Sequence, residues 1–213
     1  MKRGIFITFE GPDGSGKSTQ IEKLTAFLKA QGESVTVTRE PGGTAIGEQI
    51  RSLILDPKNT GMSDTAEMML YAAARAQIVD ELILPDIKAG KIVICDRFVD
   101  SSIAYQGYGR ELRDAVERVN AFAVKECIPD LTILLDIAPE RCFARKKDDM
   151  SDRIESEALA WHERVYRGYL DIAAAHEDRI KIVDADRDKD LIQQDVQALA
   201  AGVIRRKRQE ADL

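Results

Sequence analysis

The most constraining feature of the sequence is a glycine-rich loop between a short apolar run and a helical stretch. Residues 11–19 read Gly-Pro-Asp-Gly-Ser-Gly-Lys-Ser-Thr and fit the pattern G-x-x-x-x-G-K-[ST]. Glycines let backbone N–H groups converge on an anion, and the helix N-terminus that follows adds partial positive charge. We therefore predict an ATP site in which Lys17 reaches the β- and γ-phosphates and Ser18 ligates Mg²⁺. The predicted ATP-binding residues of the loop are Gly11, Pro12, Asp13, Gly14, Ser15, Gly16, Lys17, Ser18 and Thr19.

Short apolar, β-rich runs recur along the chain with longer helical stretches between them. The runs are Ile5–Phe9, Val35–Thr38, Ile92–Cys95, Leu131–Leu135 and Ile180–Val183. Most of them are continuously apolar, as in parallel strands that helices cover on both faces. This alternation predicts an α/β fold, a three-layer sandwich around a five-stranded parallel sheet.

Capping residues and helical periodicity predict the main helices. They are Lys17–Gln31, Asp64–Ala89, Asp152–Ala175 and Asp190–Lys207. Pro85 should kink or break the second of these helices. Because no repeat, linker or low-complexity block interrupts the pattern, we expect residues 1–213 to form one domain.

Composition excludes several kinds of partner. A net charge of −6 argues against a broad basic face for nucleic acid. No window approaches the ~20 apolar residues of a membrane span, and no signal-peptide core follows Lys2 and Arg3. The three cysteines have no metal or redox spacing, which is typical of buried thiols in a reducing compartment. We expect a cytoplasmic protein that binds neither nucleic acid nor membrane.

Charged residues follow two of the predicted strands, where open α/β sheets bind their ligands. Arg39 follows the second strand, and Asp96 and Arg97 follow the third. An arginine in such a place is often only a surface ion pair, but two beside a phosphate loop indicate a second anionic substrate. We predict that Arg39 and Arg97 hold its phosphate, and that Asp96 either holds the Mg²⁺ shell or orients Arg97.

Several motifs, in the same order over nearly the whole chain, resemble those of bacterial thymidylate kinases. They are the loop at 11–19, Arg-Glu-Pro-Gly-Gly-Thr at 39–44, Leu-Tyr-Ala-Ala-Ala-Arg-Ala-Gln at 70–77, the stretch 96–107 and Asp-Arg-Ile-Glu at 152–155. The resemblance implies a P-loop nucleoside monophosphate kinase-like fold that converts ATP and dTMP to ADP and dTDP with Mg²⁺, in dTTP biosynthesis. It also implies a homodimer formed through long helices such as Asp64–Ala89.

The resemblance further implies which residues contact the thymine base. Tyr71 would stack on the ring, Arg75 and Gln106 would bond to its polar edge, and Ser101 would lie near its methyl group. Judged from the residues alone, Tyr71 is more often a core residue, and Ser101 could simply cap the next helix.

The sugar and phosphate of dTMP would be held by other residues of the same motifs. By the same resemblance, Arg39 and Arg97 would hold the phosphate, Tyr105 would lie against the sugar, and Asp13 would meet the 3′-hydroxyl or orient a catalytic arginine.

The segment 141–153 is dense in charge and follows the fourth predicted strand. It could be a solvated helix turn, or a lid that closes over ATP and excludes water. Some family members carry a basic residue in the phosphate loop where this chain has Gly14. Members without it carry basic residues in the lid, and Gly14 together with Arg145 and Arg153 resembles this second type. Arg141 resembles the position that packs on adenine. Arg145 and Arg153 complete a predicted catalytic set with Lys17, Arg97 and Asp13.

Two alternatives remain open from the sequence. Another nucleoside or nucleotide kinase would share the loop, but the two phosphate-binding arginines argue against a neutral acceptor. A regulatory P-loop NTPase would need a base-reading Asn-Lys-x-Asp motif, and residues 187–190 lack the asparagine. Ala74 and Ile78 depart from residues frequent in the family, and we expect them to alter only neighbouring contacts.

Overall fold

A computed structural model describes residues 4–145 and 152–211. Its strands are β1 Ile5–Glu10, β2 Val35–Arg39, β3 Ile92–Asp96, β4 Leu131–Asp136 and β5 Ile180–Asp184. They form one parallel five-stranded sheet in the order β2-β3-β1-β4-β5. Each strand runs one residue past its predicted end, and that residue is always charged, because sheet pairing continues after the apolar pattern stops.

Helices cover the sheet on both faces. They are α1 Lys17–Ala30, α2 Ala45–Leu55, α3 Asp64–Ile78, α4 Leu84–Lys88, α5 Val99–Ser102, α6 Arg113–Val124, α7 Pro139–Arg145, α8 Leu159–Ala175 and α9 Lys189–Ala211. Wider π-helical turns join α3 to α4 over Val79–Ile83 and follow α5 over Ile103–Gly109. Among the described residues, none of these helices combines the length and apolarity needed to cross a bilayer.

The helices α2 and α6 were not predicted, although each is amphipathic, with apolar and polar residues separated at helical spacing. Ile54 of α2 and Val116 of α6 are buried in the core. Leu53 of α2 and Phe122 of α6 are exposed.

Two predicted helices differ in the structure. The helix predicted over 64–89 is not broken at Pro85, but it widens into π-helical turns over Val79–Ile83, just before Pro85 in the first turn of α4. The helix predicted from Asp152 begins only at Leu159. Before it, the Asp152 carboxylate accepts the backbone N–H of Ile154 (2.9 Å) and of Glu155 (2.8 Å) in a tight turn.

The core lies in two layers, one on each face of the sheet. The layer under α1 and α9 contains Ile5, Ile7, Phe9, Leu24, Leu28, Val196 and Ala200. The opposite layer contains Phe6, Val93, Cys95, Ile78, Ile83 and Phe98. Because alternate residues of β1 enter opposite layers, every residue of that strand is buried. The predicted three-layer α/β sandwich is therefore confirmed.

Candidate active site

The glycine-rich loop joins β1 to α1, as the sequence predicts. Gly11, Gly14 and Gly16 have φ values of 130°, 87° and 96°, which only glycine adopts without strain. The Lys17 ammonium donates hydrogen bonds to the carbonyl oxygens of Gly11 and Pro12, both at 3.0 Å. Burial, and then the nearby charge of Arg97, lower the pKa of Lys17 to about 8. A poorly solvated cation thus lies across the mouth of an anion-binding loop.

A cavity with about 790 Å³ of empty space opens beside the loop, and we call it the loop cavity. Its lining includes Lys17, Ser18 and the end of β3 at Asp96. The Oδ1 atom of Asp96 is buried and has no hydrogen-bond partner among the described residues, and the same is true of Ser15 Oγ in the loop. Buried polar atoms rarely stay unpaired unless a ligand, ion or water satisfies them. Asp96, which lines the cavity, is therefore available to a ligand or ion.

A second cavity, with about 530 Å³ of empty space, adjoins the first, and we call it the inner cavity. Six of the seven predicted substrate residues line it: Tyr71, Arg75, Arg97, Ser101, Tyr105 and Gln106. The remaining one, Arg39, lines the loop cavity instead. The residues common to both cavities are Asp13, Glu40, Arg51 and Arg97. The tertiary structure thus brings the two predicted sets of residues to one junction.

Arg97 lies at that junction in a strained backbone conformation. Its φ of 67° is uncommon for a residue with a side chain, and such strain is often found at functional sites. Its guanidinium donates to Asp13 Oδ1 (2.7 Å), to the Tyr169 hydroxyl (2.9 Å) and to Ser101 Oγ (3.2 Å). It also lies 5.0 Å from the centre of the Tyr105 ring. Asp13 therefore contacts Arg97 directly, as it would if it oriented a catalytic arginine.

Arg75 is buried in a dense set of contacts within the protein. Its Nε and Nη2 atoms pair with Glu40 Oε2 at 2.7 and 2.6 Å, and Nη2 also donates to the Phe98 carbonyl at 3.0 Å. Its Nη1 atom donates to Ser102 Oγ at 2.9 Å and to Asn120 Oδ1. Four hydrogen bonds and an ion pair with Glu40 thus surround the guanidinium. A contact with a base would require Arg75 to share one of these bonds.

Glu40, which Arg75 holds, was not predicted as a site residue. Burial raises the pKa of Glu40 to about 7, although the charge of Arg75 opposes the rise. Its other oxygen, Oε1, is buried and has no hydrogen-bond partner in the part of the chain that the structure describes, although the residue lines both cavities. A buried carboxylate with a raised pKa beside a cavity is a candidate functional group.

Gln106 is almost completely buried in the wall of the inner cavity. Its Nε2 atom donates to Glu67 Oε1 at 2.9 Å, and its Oε1 atom has no hydrogen-bond partner among the residues that the structure describes. Glu67, in α3, was also missed by sequence reasoning. Arg153 donates to the same carboxylate at 2.6 Å and to the Ile54 carbonyl at 3.0 Å. Arg153 therefore lies behind the inner cavity and does not line the loop cavity.

The other predicted lid residues lie on α7. Arg141 donates to both carboxylate oxygens of Asp186 at 2.9 and 3.0 Å, and Arg145 donates to Asp186 and to the Ala185 carbonyl, both at 3.1 Å. Both side chains are exposed, and neither lines the loop cavity. Residues 146–151, the middle of the predicted lid, lie outside the described residues.

Arg39 and Arg51 add positive charge at the rim of the loop cavity. Arg39, at the end of β2, is half exposed and donates to both oxygens of Glu48 at 2.9 Å. Arg51, on α2, lines both cavities and donates to the Pro41 carbonyl at 2.9 Å. Sequence reasoning missed Arg51 because α2 itself was not predicted. The signal that could have found Arg51 is its place on an amphipathic stretch that directly follows the motif at 39–44.

Comparison with known proteins gives one consistent result. The family model described as thymidylate kinase matches residues 9–196. The chain is 51% identical over 195 residues to the thymidylate kinase of an Exiguobacterium species, covering 91% of this chain and 92% of that one. It is 52% identical over 191 residues to that of Lactobacillus delbrueckii subsp. bulgaricus, covering 87% and 90%.

A solved structure agrees with these relatives. The crystal structure of thymidylate kinase from Ehrlichia chaffeensis superposes with a TM-score of 0.76 at 33% identity, covering 93% of this chain and 99% of that one. The match therefore extends from sequence to fold over nearly the full length of both chains. From the family model, the close relatives and the shared fold together, the chain belongs to the thymidylate kinase family.

Proposed function

We propose that this chain transfers the γ-phosphoryl group of ATP to dTMP, giving ADP and dTDP, where the loop cavity meets the inner cavity. The observation that carries the proposal is the set of residues common to both cavities, among them Arg97 held by Asp13. Phosphoryl transfer depends mostly on bringing donor and acceptor into line and neutralising the charge between them. Two cavities joined at an oriented arginine provide that arrangement.

The loop cavity holds ATP in this proposal. The backbone of the loop surrounds the phosphates, and Lys17 moves from its carbonyl partners to the β- and γ-phosphates. Ser18 and Asp96 would hold Mg²⁺, which when bound neutralises phosphate charge. The unpaired Oδ1 of Asp96 fits that role, because Mg²⁺ prefers carboxylate oxygen and keeps much of its water shell.

The inner cavity holds dTMP. Arg97, with Arg39 and Arg51 at the rim, binds the acceptor phosphate, and Tyr105 packs against the sugar. Tyr71, Ser101 and Gln106 surround the base, and the unpaired Oε1 of Gln106 accepts the thymine N3–H. Arg75 stiffens the wall of the cavity through Glu40 and contributes to base binding by sharing one of its bonds.

Residues 1–213 act as one kinase domain in which segment 141–153 is the lid. The α7 end of that segment already packs on the phosphate loop, since a Cβ on Gly14 would lie 3.2 Å from the Cys142 carbonyl. For Arg141 to reach adenine and Arg145 the phosphates, both must leave Asp186. Arg153 contributes to catalysis only if it also leaves Glu67.

The homodimer in this proposal forms through α3 and the neighbouring α6. These helices pack against each other, and they carry Met69 and Phe122, which are 50% and 86% exposed. Large apolar side chains so exposed on adjacent helices are typical of a covered interface. Gel filtration of the wild type and of Phe122→Glu tests this, with a dimer expected for the first and a monomer for the second. Two monomers would contradict the proposal.

An assay of acceptor-dependent ADP release tests the reaction. We expect turnover with dTMP, much slower turnover with dCMP, dAMP and dGMP, and none with thymidine, which lacks the phosphate that Arg97 binds. Equal or faster rates with another monophosphate would contradict the choice of acceptor. Slow ATP hydrolysis that no acceptor stimulates would instead support a regulatory NTPase.

A further inference from the structure

Glu67 is a fully buried carboxylate in the middle of α3, just behind the wall of the inner cavity. A buried carboxylate is costly unless cations and hydrogen bonds surround it. Its Oε1 atom accepts from Gln106 Nε2 (2.9 Å) and from Arg110 Nε (3.3 Å). Its Oε2 atom accepts from Arg110 Nη2 (3.1 Å) and from Arg153 Nη2 (2.6 Å). Two arginines therefore balance the charge, and Gln106 is the one neutral side chain bonded to Glu67 within residues 4–145 and 152–211.

These bonds keep Glu67 ionised. Burial acts to raise the pKa of Glu67, but hydrogen bonds from Arg110, Gln106 and Arg153 outweigh it and hold the pKa below its usual value. An ionised carboxylate can accept hydrogen bonds but has none to donate. The end of the Gln106 amide that faces Glu67 must therefore be its NH₂ group.

The orientation of the amide determines what Gln106 offers to a ligand. A glutamine amide has one donor end and one acceptor end, and rotation by half a turn exchanges them. With Nε2 bound to Glu67, none of the described residues bonds to the acceptor Oε1, in a side chain that lines the inner cavity. Thymine and uracil carry an N–H at N3, whereas cytosine carries a lone pair there. A fixed acceptor thus favours the first two bases and repels the third.

We infer that Glu67 is a positioning residue that sets the base selectivity of this enzyme by holding the Gln106 amide with its oxygen toward the base. This inference rests on the proposed function, in which Gln106 reads N3 of the bound pyrimidine. Glu67 itself touches no substrate, and it acts only through Gln106. The two arginines behind it keep the carboxylate charged and stationary.

The test compares kcat/KM for dTMP, dUMP and dCMP in the wild type and in Glu67→Gln. The substituted amide can donate as well as accept, so Gln106 becomes free to rotate. We expect the dTMP-to-dCMP ratio of kcat/KM to fall by roughly ten- to a hundredfold. That is the effect of one hydrogen bond between Gln106 and N3 of the base, compared with two acceptors that face each other. The dTMP-to-dUMP ratio should stay the same, because both bases have N3–H.

Asp100→Asn is the matched control. Asp100 is another buried carboxylate, paired with Arg179 at 2.7 Å, and it makes no hydrogen bond to Gln106. Loss of the Asp100 charge should lower the free energy of unfolding without changing the dTMP-to-dCMP ratio of kcat/KM. If Glu67→Gln fails to fold, Glu67→Asp replaces it; its shorter side chain no longer reaches Nε2, and a smaller fall in the same ratio is expected.

Gln106→Ala separates this inference from the proposal beneath it. If Gln106→Ala leaves the dTMP-to-dCMP ratio unchanged, Gln106 does not read the base. The base-reading role of Gln106 and the positioning role of Glu67 are then both wrong, whereas turnover with dTMP still tests the proposed reaction. If Gln106→Ala lowers the ratio while a folded Glu67→Gln or Glu67→Asp keeps it, the base-reading role stands and the role of Glu67 is overturned.

Discussion

The loop cavity and the inner cavity meet at Asp13 and Arg97, yet they are built in different ways. The loop cavity owes its shape to residues that follow one another in the chain, with glycines at positive φ and a lysine bonded to carbonyls five and six residues away. The inner cavity is lined by side chains from α2, α3 and the segment after β3, and Arg75 on α3 bonds to residues 23 to 45 positions away. Loss of a side chain should therefore change the stability of the protein little in the loop cavity and strongly in the inner cavity.

The largest effect is expected from Arg75→Met, which tests the structural side of this comparison. The change leaves Glu40 as a buried carboxylate without its cation, so the free energy of unfolding should fall by about 3–5 kcal/mol. Urea denaturation followed by circular dichroism measures it. An unchanged midpoint with a large rise in KM for dTMP would mean that Arg75 serves the base far more than the wall.

Lys17→Ala tests the loop cavity, where we expect a loss of activity without a loss of stability. The backbone holds the loop, so stability should change little, but kcat/KM should fall by roughly 10²–10³-fold as the charge at the migrating phosphate is lost. Lys23→Ala is the control, because Lys23 lies on the same helix and pairs with Asp190 at the surface. A stability loss in Lys17→Ala comparable to that of Arg75→Met would break the contrast between the two cavities.

The pH dependence of ATP binding sharpens the role of Lys17. With a pKa of about 8, Lys17 is charged below pH 8 and loses its proton above it, whereas a solvated lysine would stay charged to a much higher pH. ATP should therefore bind up to about tenfold more weakly at pH 9 than at pH 7, as measured by calorimetry. Lys17→Arg, whose guanidinium stays charged, should remove this dependence; a wild type with equal affinity at both values would contradict the assignment.

The smallest effect is expected from Asp186→Asn, at the surface beyond both cavities. Asp186 holds Arg141 and Arg145 away from the loop cavity, and exposed ion pairs of this kind are weak. If these arginines serve a lid, their release should lower KM for ATP by less than about fivefold. An unchanged or higher KM for ATP would argue that α7 does not move toward the nucleotide.

Sequence patterns predicted the sheet and the loop cavity nearly completely. Parallel strands buried on both faces leave a continuous apolar signal, and the loop motif specifies its own backbone shape. For the inner cavity, the family resemblance named Tyr71, Ser101 and Gln106, which do line it. The glutamates that hold its wall were missed. Glu40 lies in the motif at 39–44 but was given no role, and no local pattern distinguishes Glu67 from other glutamates of the chain.

The reason for this division is the range over which each interaction acts. The positions of the strands, the phosphate loop and the charged strand ends follow from backbone preferences and burial, which neighbouring residues already encode. The order β2-β3-β1-β4-β5 was not predicted, because it depends on pairing between residues far apart in the chain. Whether a glutamate is a solvated surface residue or a buried anion beneath Gln106 depends on where α3, α6 and the turn at Arg153 are packed together. Only that packing decides which end of the Gln106 amide faces the substrate. It places Nε2 against the buried Glu67 carboxylate, which sequence spacing does not reveal.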